Sequence, residues 1–202
     1  MKHTISERIE QLKKIKNEVL TLKKSPLYKY LMENKYFPVI GEGSLVANIM
    51  FVGEAPGKTE AETGKPFCGR SGKFLDELLE SIKLKRADVY ITNIVKDRPQ
   101  DNRDPTSIEI TLYGPYLDQQ IEIIQPKIIV TLGRLSGAYI FSALKIAEKM
   151  QPIGKIHGQE FIGSTGYGKV IILPLYHPAV ALYNGSNRAT LMLDFQVLKK
   201  YI

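Results

Sequence analysis

The sequence predicts an α/β fold, a three-layer α/β/α sandwich on a central four-stranded parallel sheet, with residues 1–202 forming a single domain. Three observations carry this. Four short apolar runs, Ala47–Val52, Val89–Ile94, Lys127–Leu132 and Lys169–Leu175, are continuous rather than alternating, as strands covered on both faces are. Each run precedes a stretch of helical periodicity, roughly Ser71–Ile82, Thr106–Ile124, Leu135–Lys149 and Arg188–Lys200, and repeated strand-then-helix order demands parallel strands with helices on both sides. The chain is also long enough, with 44% hydrophobic and 24% charged residues, to bury one substantial core but not two.

In chain order, residues 1–24 form an amphipathic N-terminal helix packed on the domain. Ile5, Ile9, Leu12, Ile15, Val19 and Leu22 recur at helical spacing, and Thr4 with Glu7 forms a capping box at its start. Lys13, Lys14, Lys16, Lys23 and Lys24 lie mostly off that stripe and read as a solvated face rather than a DNA contact. The four strand-helix pairs follow, and the Gly-rich stretch Gly154–Gly168 reads as an exposed hairpin or loop within the domain. Open parallel sheets bind ligands outside the carboxyl ends of their strands, which directs attention to the turns after the first, second and fourth runs.

Composition excludes several classes. One cysteine cannot build a disulfide framework or a metal cage of several thiolates, and it fits a reducing compartment. No run approaches the roughly 18 apolar residues of a membrane span, and Met1-Lys2-His3 does not open a signal peptide, so an intracellular protein is expected. A net charge of +7 fits a polyanionic partner such as nucleic acid, and equally fits a need for solubility.

Three strand ends carry unusual residues: Gly53-Glu54-Ala55-Pro56-Gly57 after the first run, Asn93 at the end of the second, and His177-Pro178-Ala179 after the fourth. Between the first two lies Pro66-Phe67-Cys68-Gly69-Arg70-Ser71-Gly72. Gly53 to Thr59 superficially resembles a phosphate-binding loop, but the required glycine would fall at Val52. Glu54 and Pro56 would spoil the anion cradle, and no later strand ends in a magnesium-holding acid. A nucleobase pocket suits these residues better. Phe67 offers a stacking face for an extruded base, Asn93 one donor and one acceptor for its polar edge, and neutral His177 a donor to an oxygen gaining charge.

With these motifs the chain resembles a family-four uracil-DNA glycosylase of the uracil-DNA glycosylase superfamily. The matching text is GEAPG at Gly53–Gly57, TGKPFCGRSGKFLDELL at Thr63–Leu79, VYITNIVK at Val89–Lys96, KIIVTLG at Lys127–Gly133 and YHPAVALYN at Tyr176–Asn184. The resemblance implies a uracil-DNA glycosylase-like fold and a monofunctional DNA-repair hydrolase. Such an enzyme flips uracil out of single- or double-stranded DNA and leaves an abasic site. It further implies a monomer, nucleoid-associated, with DNA as partner. Carried over by position, Phe67 stacks on uracil, Asn93 reads its edge, His177 lies near its O2 and backbone amides around Ala55 face the base. Leu182, Tyr183 and Arg188 lie where the family inserts a loop into the duplex, and Arg70 and Lys73 read as phosphate contacts. Where other branches of the superfamily have a water-activating Asp, this chain has Ala55, so Glu54 is expected to act instead, with Glu60 the alternate.

Family-four enzymes usually hold an iron-sulfur cluster through four cysteines. The motif alignment puts Leu22, Ser25, Asp97 and Leu112 at those positions, so no cluster, metal or other cofactor is expected. Cys68 falls in the Phe67 motif and reads as a pocket-wall or buried thiol rather than a nucleophile. From the residues alone, alternatives stand beside several roles: Asn93 as a cap, His177 as a turn residue, Glu54 as a brace on backbone amides. For Arg70, Lys73 and Arg188, phosphate contact is favoured over ion pairing provided that they face the pocket side. A relative that binds nucleic acid without turnover, or that takes another deaminated base, is the alternative function.

Overall fold

The computed structural model describes residues 4–182 and 184–202, so the expected role of Tyr183 lies outside the described residues. Its centre is a parallel pair, β2 (Ile49–Gly53) and β4 (Ile128–Leu132), every residue of which is buried. β3 (Tyr90–Asn93) joins β2 on one side and β6 (Gly168–Leu175) joins β4 on the other, both in parallel. These four strands are the four apolar runs of the sequence.

The expectation of a purely four-stranded parallel sheet is corrected at its edges. β1 (Glu42–Gly43) pairs antiparallel with β3, and β5 (Phe161–Thr165) pairs antiparallel with β6, giving a six-stranded mixed sheet in the order β1-β3-β2-β4-β6-β5. Two residues are too few to show a period. β5 is half solvated, as an edge strand is, so it lacks the apolar run that marked the central strands.

Side-chain alternation splits β2 between two apolar layers. Met50 and Val52 face a layer with Ile15 and Val19 of α1 (Ile5–Leu20). Tyr113 and Leu117 of α5 (Ser107–Ile124) and Ile140 and Phe141 of α6 (Arg134–Ala143) complete that side. Ile49 and Phe51 face the opposite layer, with Phe74, Leu75 and Leu78 of α4 (Arg70–Ser81) and Leu191 and Phe195 of α8 (Gly185–Phe195). Three short helices complete the chain: α2 (Tyr28–Glu33), α3 (Lys58–Thr63) and α7 (Ile153–Ile156).

The capping box of α1 forms as expected, with Glu7 accepting from the Thr4 amide at 2.7 Å. Its apolar stripe is buried at Ile15 and Val19, but Ile5 and Ile9 remain exposed. Arg8, 5% exposed, donates to the Leu45 carbonyl at 2.6 Å and the Ile124 carbonyl at 2.8 Å, tying α1 to the end of α5. Two expected helices break earlier. After Ala143 the chain turns through Lys145 at φ 58° into a 3-10 turn at Ala147–Lys149, and α8 passes into another at Gln196–Tyr201. No helix among the described residues is long and apolar enough to cross a membrane.

The stacked pair Phe51 and Phe195, with centroids 5.8 Å apart, joins sheet to α8. Because Phe195 is wholly buried, Phe195→Ala is expected to cost about 3–5 kcal/mol of folding stability, read from the midpoint of denaturant unfolding. A loss below about 1 kcal/mol would show that this layer closes over the gap.

Candidate functional site

The carboxyl ends of β2, β3 and β6 open on a cavity of about 540 Å³. Glu54 to Glu60 line it after β2, Phe67 and Gly69 to Ser71 before and within α4, Asn93 at the end of β3, and His177, Ala179 and Leu182 after β6. All residues expected to touch a base, Ala55, Phe67, Asn93 and His177, are thus in one cavity.

Two glycines permit that convergence. A Cβ on Gly53 would lie 2.3 Å from Asn93 Oδ1 and 2.7 Å from Phe67 Cζ, so only glycine lets both side chains lie across the end of β2. A Cβ on Gly72 would lie 1.8 Å from the Phe67 carbonyl oxygen, where the first turn of α4 packs against the Phe67 backbone. That backbone holds φ at 46°, the left-handed region, which turns the ring into the cavity. Phe67 is 5% exposed and its ring lies 5.7 Å from the imidazole of His177.

The tautomer of His177 follows from its neighbour. The Ala179 amide donates to Nδ1 at 3.1 Å, so Nδ1 carries no proton and the neutral ring presents Nε2–H as a donor. Burial pushes its pKa down from 6.5 to about 4, against the opposing pull of the Glu60 carboxylate. Asn93 is 1% exposed, and its Oδ1 is a buried acceptor with no partner among the described residues. Such an atom is costly unless a donor is supplied from elsewhere.

The two carboxylates both sit on helix N-termini. Glu54 Oε1 accepts from the Leu135 amide at 2.8 Å in the first turn of α6, and burial raises its pKa above the ordinary carboxylate value, opposed by that same hydrogen bond. Glu60 Oε1 accepts from the Cys68 amide at 3.0 Å and the Gly69 amide at 2.7 Å, pinning the loop that carries Phe67 at the head of α4. Negative charge suits both places, because the unpaired amides and dipole of a helix start are positive. Glu60 therefore shapes the site, whereas Glu54 braces α6 and also faces the cavity.

Of the expected DNA contacts, Arg70 is exposed on the cavity rim and Leu182 lines it, while Lys73 is exposed one turn further along α4. Arg188 departs from expectation: it is paired with Glu77 and its guanidinium lies 4.5 Å over the Phe74 ring, so α8 is clasped to α4 through it. Cys68 does not line the cavity; its Sγ lies 3.2 Å from Thr63 Oγ1. His157, which had no partner visible in the sequence, pairs with Asp194 at 2.8 Å.

One wall was missed. Pro99 and Asn102 to Pro105 also line the cavity, on the loop after β3. Arg98 anchors that loop, donating to Tyr30 Oη at 3.0 Å, Tyr36 Oη at 2.9 Å and Asn102 Oδ1 at 2.8 Å. The two prolines bracketing Asn102 and Arg103 were the available signal of an ordered loop. Behind the same loop, the positions aligned with cluster cysteines form a different centre. Tyr113 Oη is 2.5 Å from Asp97 Oδ2 and 2.8 Å from Ser25 Oγ, while Leu22 and Leu112 pack in the adjoining apolar layer. No group of three or more His, Cys, Asp or Glu side chains that could hold a metal ion occurs among the described residues.

The chain is similar to known proteins over most of its length. The family model of the uracil DNA glycosylase superfamily matches residues 40–199. The chain is 47% identical to the type-4 uracil-DNA glycosylase of Sulfurisphaera tokodaii over 95% of this chain and 85% of that one. It is 45% identical to the type-4 enzyme of Saccharolobus solfataricus, covering 95% and 87%, and 40% identical to that of Archaeoglobus fulgidus, covering 93% and 92%.

The His177 assignment is testable by titration. Its folded-state pKa lies below the ordinary value of 6.5, so the neutral ring contributes stability that is fully present above pH 6.5 and lost as pH falls through about 4. The His177 ring resonance in NMR is expected to titrate with a midpoint of about 4. A midpoint near 6.5 would contradict the burial that keeps the ring neutral.

Proposed function

The chain belongs to the uracil-DNA glycosylase superfamily, and on that premise we propose that its cavity receives a uracil flipped from DNA and that Asn93, Phe67 and His177 carry its excision. The observation that carries this reading is the unpartnered Oδ1 of Asn93, buried beside Phe67 and His177 in the cavity. Uracil offers one ring N–H beside a carbonyl oxygen, which is the complement of a carboxamide. The Phe67 ring supplies the stacking face; cytosine and purines match the polar contacts less well, whereas thymine shares uracil's polar edge and differs only by its 5-methyl group.

Excision moves the electron pair of the C1′–N1 bond onto the base. The sugar becomes oxocarbenium-like, the base becomes an anion, and water adds to C1′ with loss of a proton. His177 Nε2–H donates to O2 of uracil as that oxygen gains charge. A neutral donor does this without losing its own proton, and the amide on Nδ1 supports that tautomer. Glu54 is the carboxylate proposed to place the water: it faces the cavity, and its raised pKa makes it a better base near neutral pH. Glu60 holds the Phe67 loop. The flanking strand is met by Arg70 and Lys73 through phosphates and by the segment at Leu182. The enzyme acts in DNA repair, with uracil-containing DNA as its partner.

The iron-sulfur cluster usual in the related family does not fit these residues. Leu22 and Leu112 offer no donor, Asp97 and Ser25 are hydrogen-bonded through Tyr113, and the chain's one thiol, Cys68, lies in the Phe67 loop. We therefore read the Ser25–Tyr113–Asp97 contact and its apolar neighbours as the substitute that packs this region, and no step of the reaction passes through a cluster. Iron and sulfide analysis of anaerobically purified protein is expected to return neither at stoichiometric level; stoichiometric iron with visible absorption would overturn this.

Excision is tested with an end-labelled oligonucleotide carrying one uracil, scored by alkali cleavage, with thymine and hypoxanthine controls. Cleavage at uracil is expected, with His177→Ala or Asn93→Ala lowering kcat about 10²–10³-fold and leaving DNA binding nearly intact. Unchanged excision in both variants would remove the pocket assignment. No cleavage by the unaltered protein on single or double strands would favour a binding-only relative.

A further inference from the structure

We propose that Lys96 is a positioning residue for this reaction: a buried cation behind the pocket that fixes Asn93 and stabilises the negative charge developing on the departing base. This rests on the reading of the cavity as a uracil site. Lys96 follows Asn93 by three residues, is wholly inaccessible to solvent, and folds back so that Nζ donates to the Asn93 carbonyl at 2.6 Å. Its other contacts are Gln120 Oε1 at 2.5 Å and Thr92 Oγ1 at 2.9 Å.

The three acceptors are themselves held in place. Thr92 Oγ1 donates its own hydrogen to the Ile40 carbonyl at 2.7 Å, so it turns a lone pair to Lys96. Gln120 Nε2 donates to the Ile40 carbonyl at 2.8 Å and to Tyr90 Oη at 3.1 Å, which fixes the amide so that Oε1 faces Nζ. Three acceptors match the three hydrogens of an ammonium, whereas a neutral amine supplies only two.

No carboxylate pairs with Lys96 among the described residues. Burial pushes the Lys96 pKa down from 10.5 to about 7, and Asp118, the acidic group on α5 that pulls it back up, is itself hydrogen-bonded to Tyr139 Oη at 2.9 Å. Burying a charge on neutral partners is unfavourable, and a packed apolar residue would serve stability at least as well. Placed one residue's backbone behind the group that meets the base, the same charge favours an anionic leaving group over a neutral one, and it needs no rearrangement as the bond breaks. It also holds the Asn93 carbonyl, and so the orientation of the chain from which the carboxamide projects.

The test compares single-turnover excision of uracil and of 5-fluorouracil from otherwise identical oligonucleotides. Fluorine makes the leaving base more acidic, so its departure depends less on help from the protein. Lys96→Met is expected to slow uracil excision about tenfold, about 1.4 kcal/mol at the transition state, but 5-fluorouracil excision about threefold or less, with DNA affinity unchanged. Because Lys96→Met leaves three buried acceptors unsatisfied and so weakens the fold as well, Gln120→Glu provides a second variant. It keeps the shape and sets a carboxylate against the ammonium, and the same selective loss is expected. Equal losses on the two substrates in folded variants, or no loss, would overturn the proposal and leave Lys96 a structural residue. Absence of uracil excision by the unaltered protein would instead overturn the reading on which it rests.

Discussion

The end of β2 is where the site is decided, because three backbones and two side chains meet there at distances that leave no room for a Cβ. Phe67 and Asn93 lie over Gly53, and the first turn of α4 lies against the backbone of Phe67 at Gly72. Because strands in a parallel sheet advance together, Gly53 and Asn93 are neighbours in register, and the Phe67 loop crosses their ends on its way into α4. A methyl group at either glycine displaces an aromatic ring or a carbonyl, so the recognition surface and the packing of α4 are set by one constraint.

Charge is arranged around that point by helix starts. Glu54 is held by α6 and Glu60 by α4, each accepting amide hydrogens that the helix leaves unpaired. These bonds orient the two loops between which a ligand lies, and the negative charge of Glu60 meets His177 as well. The imidazole stays neutral despite that carboxylate because burial outweighs it, and a backbone amide on Nδ1 leaves only Nε2 to donate.

Behind the cavity the interior is polar where an α/β core is ordinarily apolar. Lys96, Thr92 and Gln120 form one buried network against β3, and Ser25, Tyr113 and Asp97 form another beside it. They bracket the root of the loop that supplies the missed cavity wall. Buried hydrogen-bonded groups resist sliding in a way that apolar contacts do not, so this wall is held in a single arrangement relative to α5.

The sequence by itself determined the four parallel strands, since a strand covered on both faces must be apolar throughout, and it determined the main helices that follow them. It also marked the cavity residues, because glycine, proline and a lone polar residue at strand ends are local departures from those periods. Only the tertiary structure decided the rest. The antiparallel edges β1 and β5 are made by pairing rather than by composition. Glu54 and Glu60 differ in role because of the amides they meet, 81 residues away for Glu54 and 8 to 9 for Glu60. Arg188 turns to Glu77 across 111 residues rather than outward, and Lys96 folds inward onto acceptors on β3 and α5. Local sequence records which residue types are present and how often they recur; which partner each one meets depends on contacts that form only when distant segments pack.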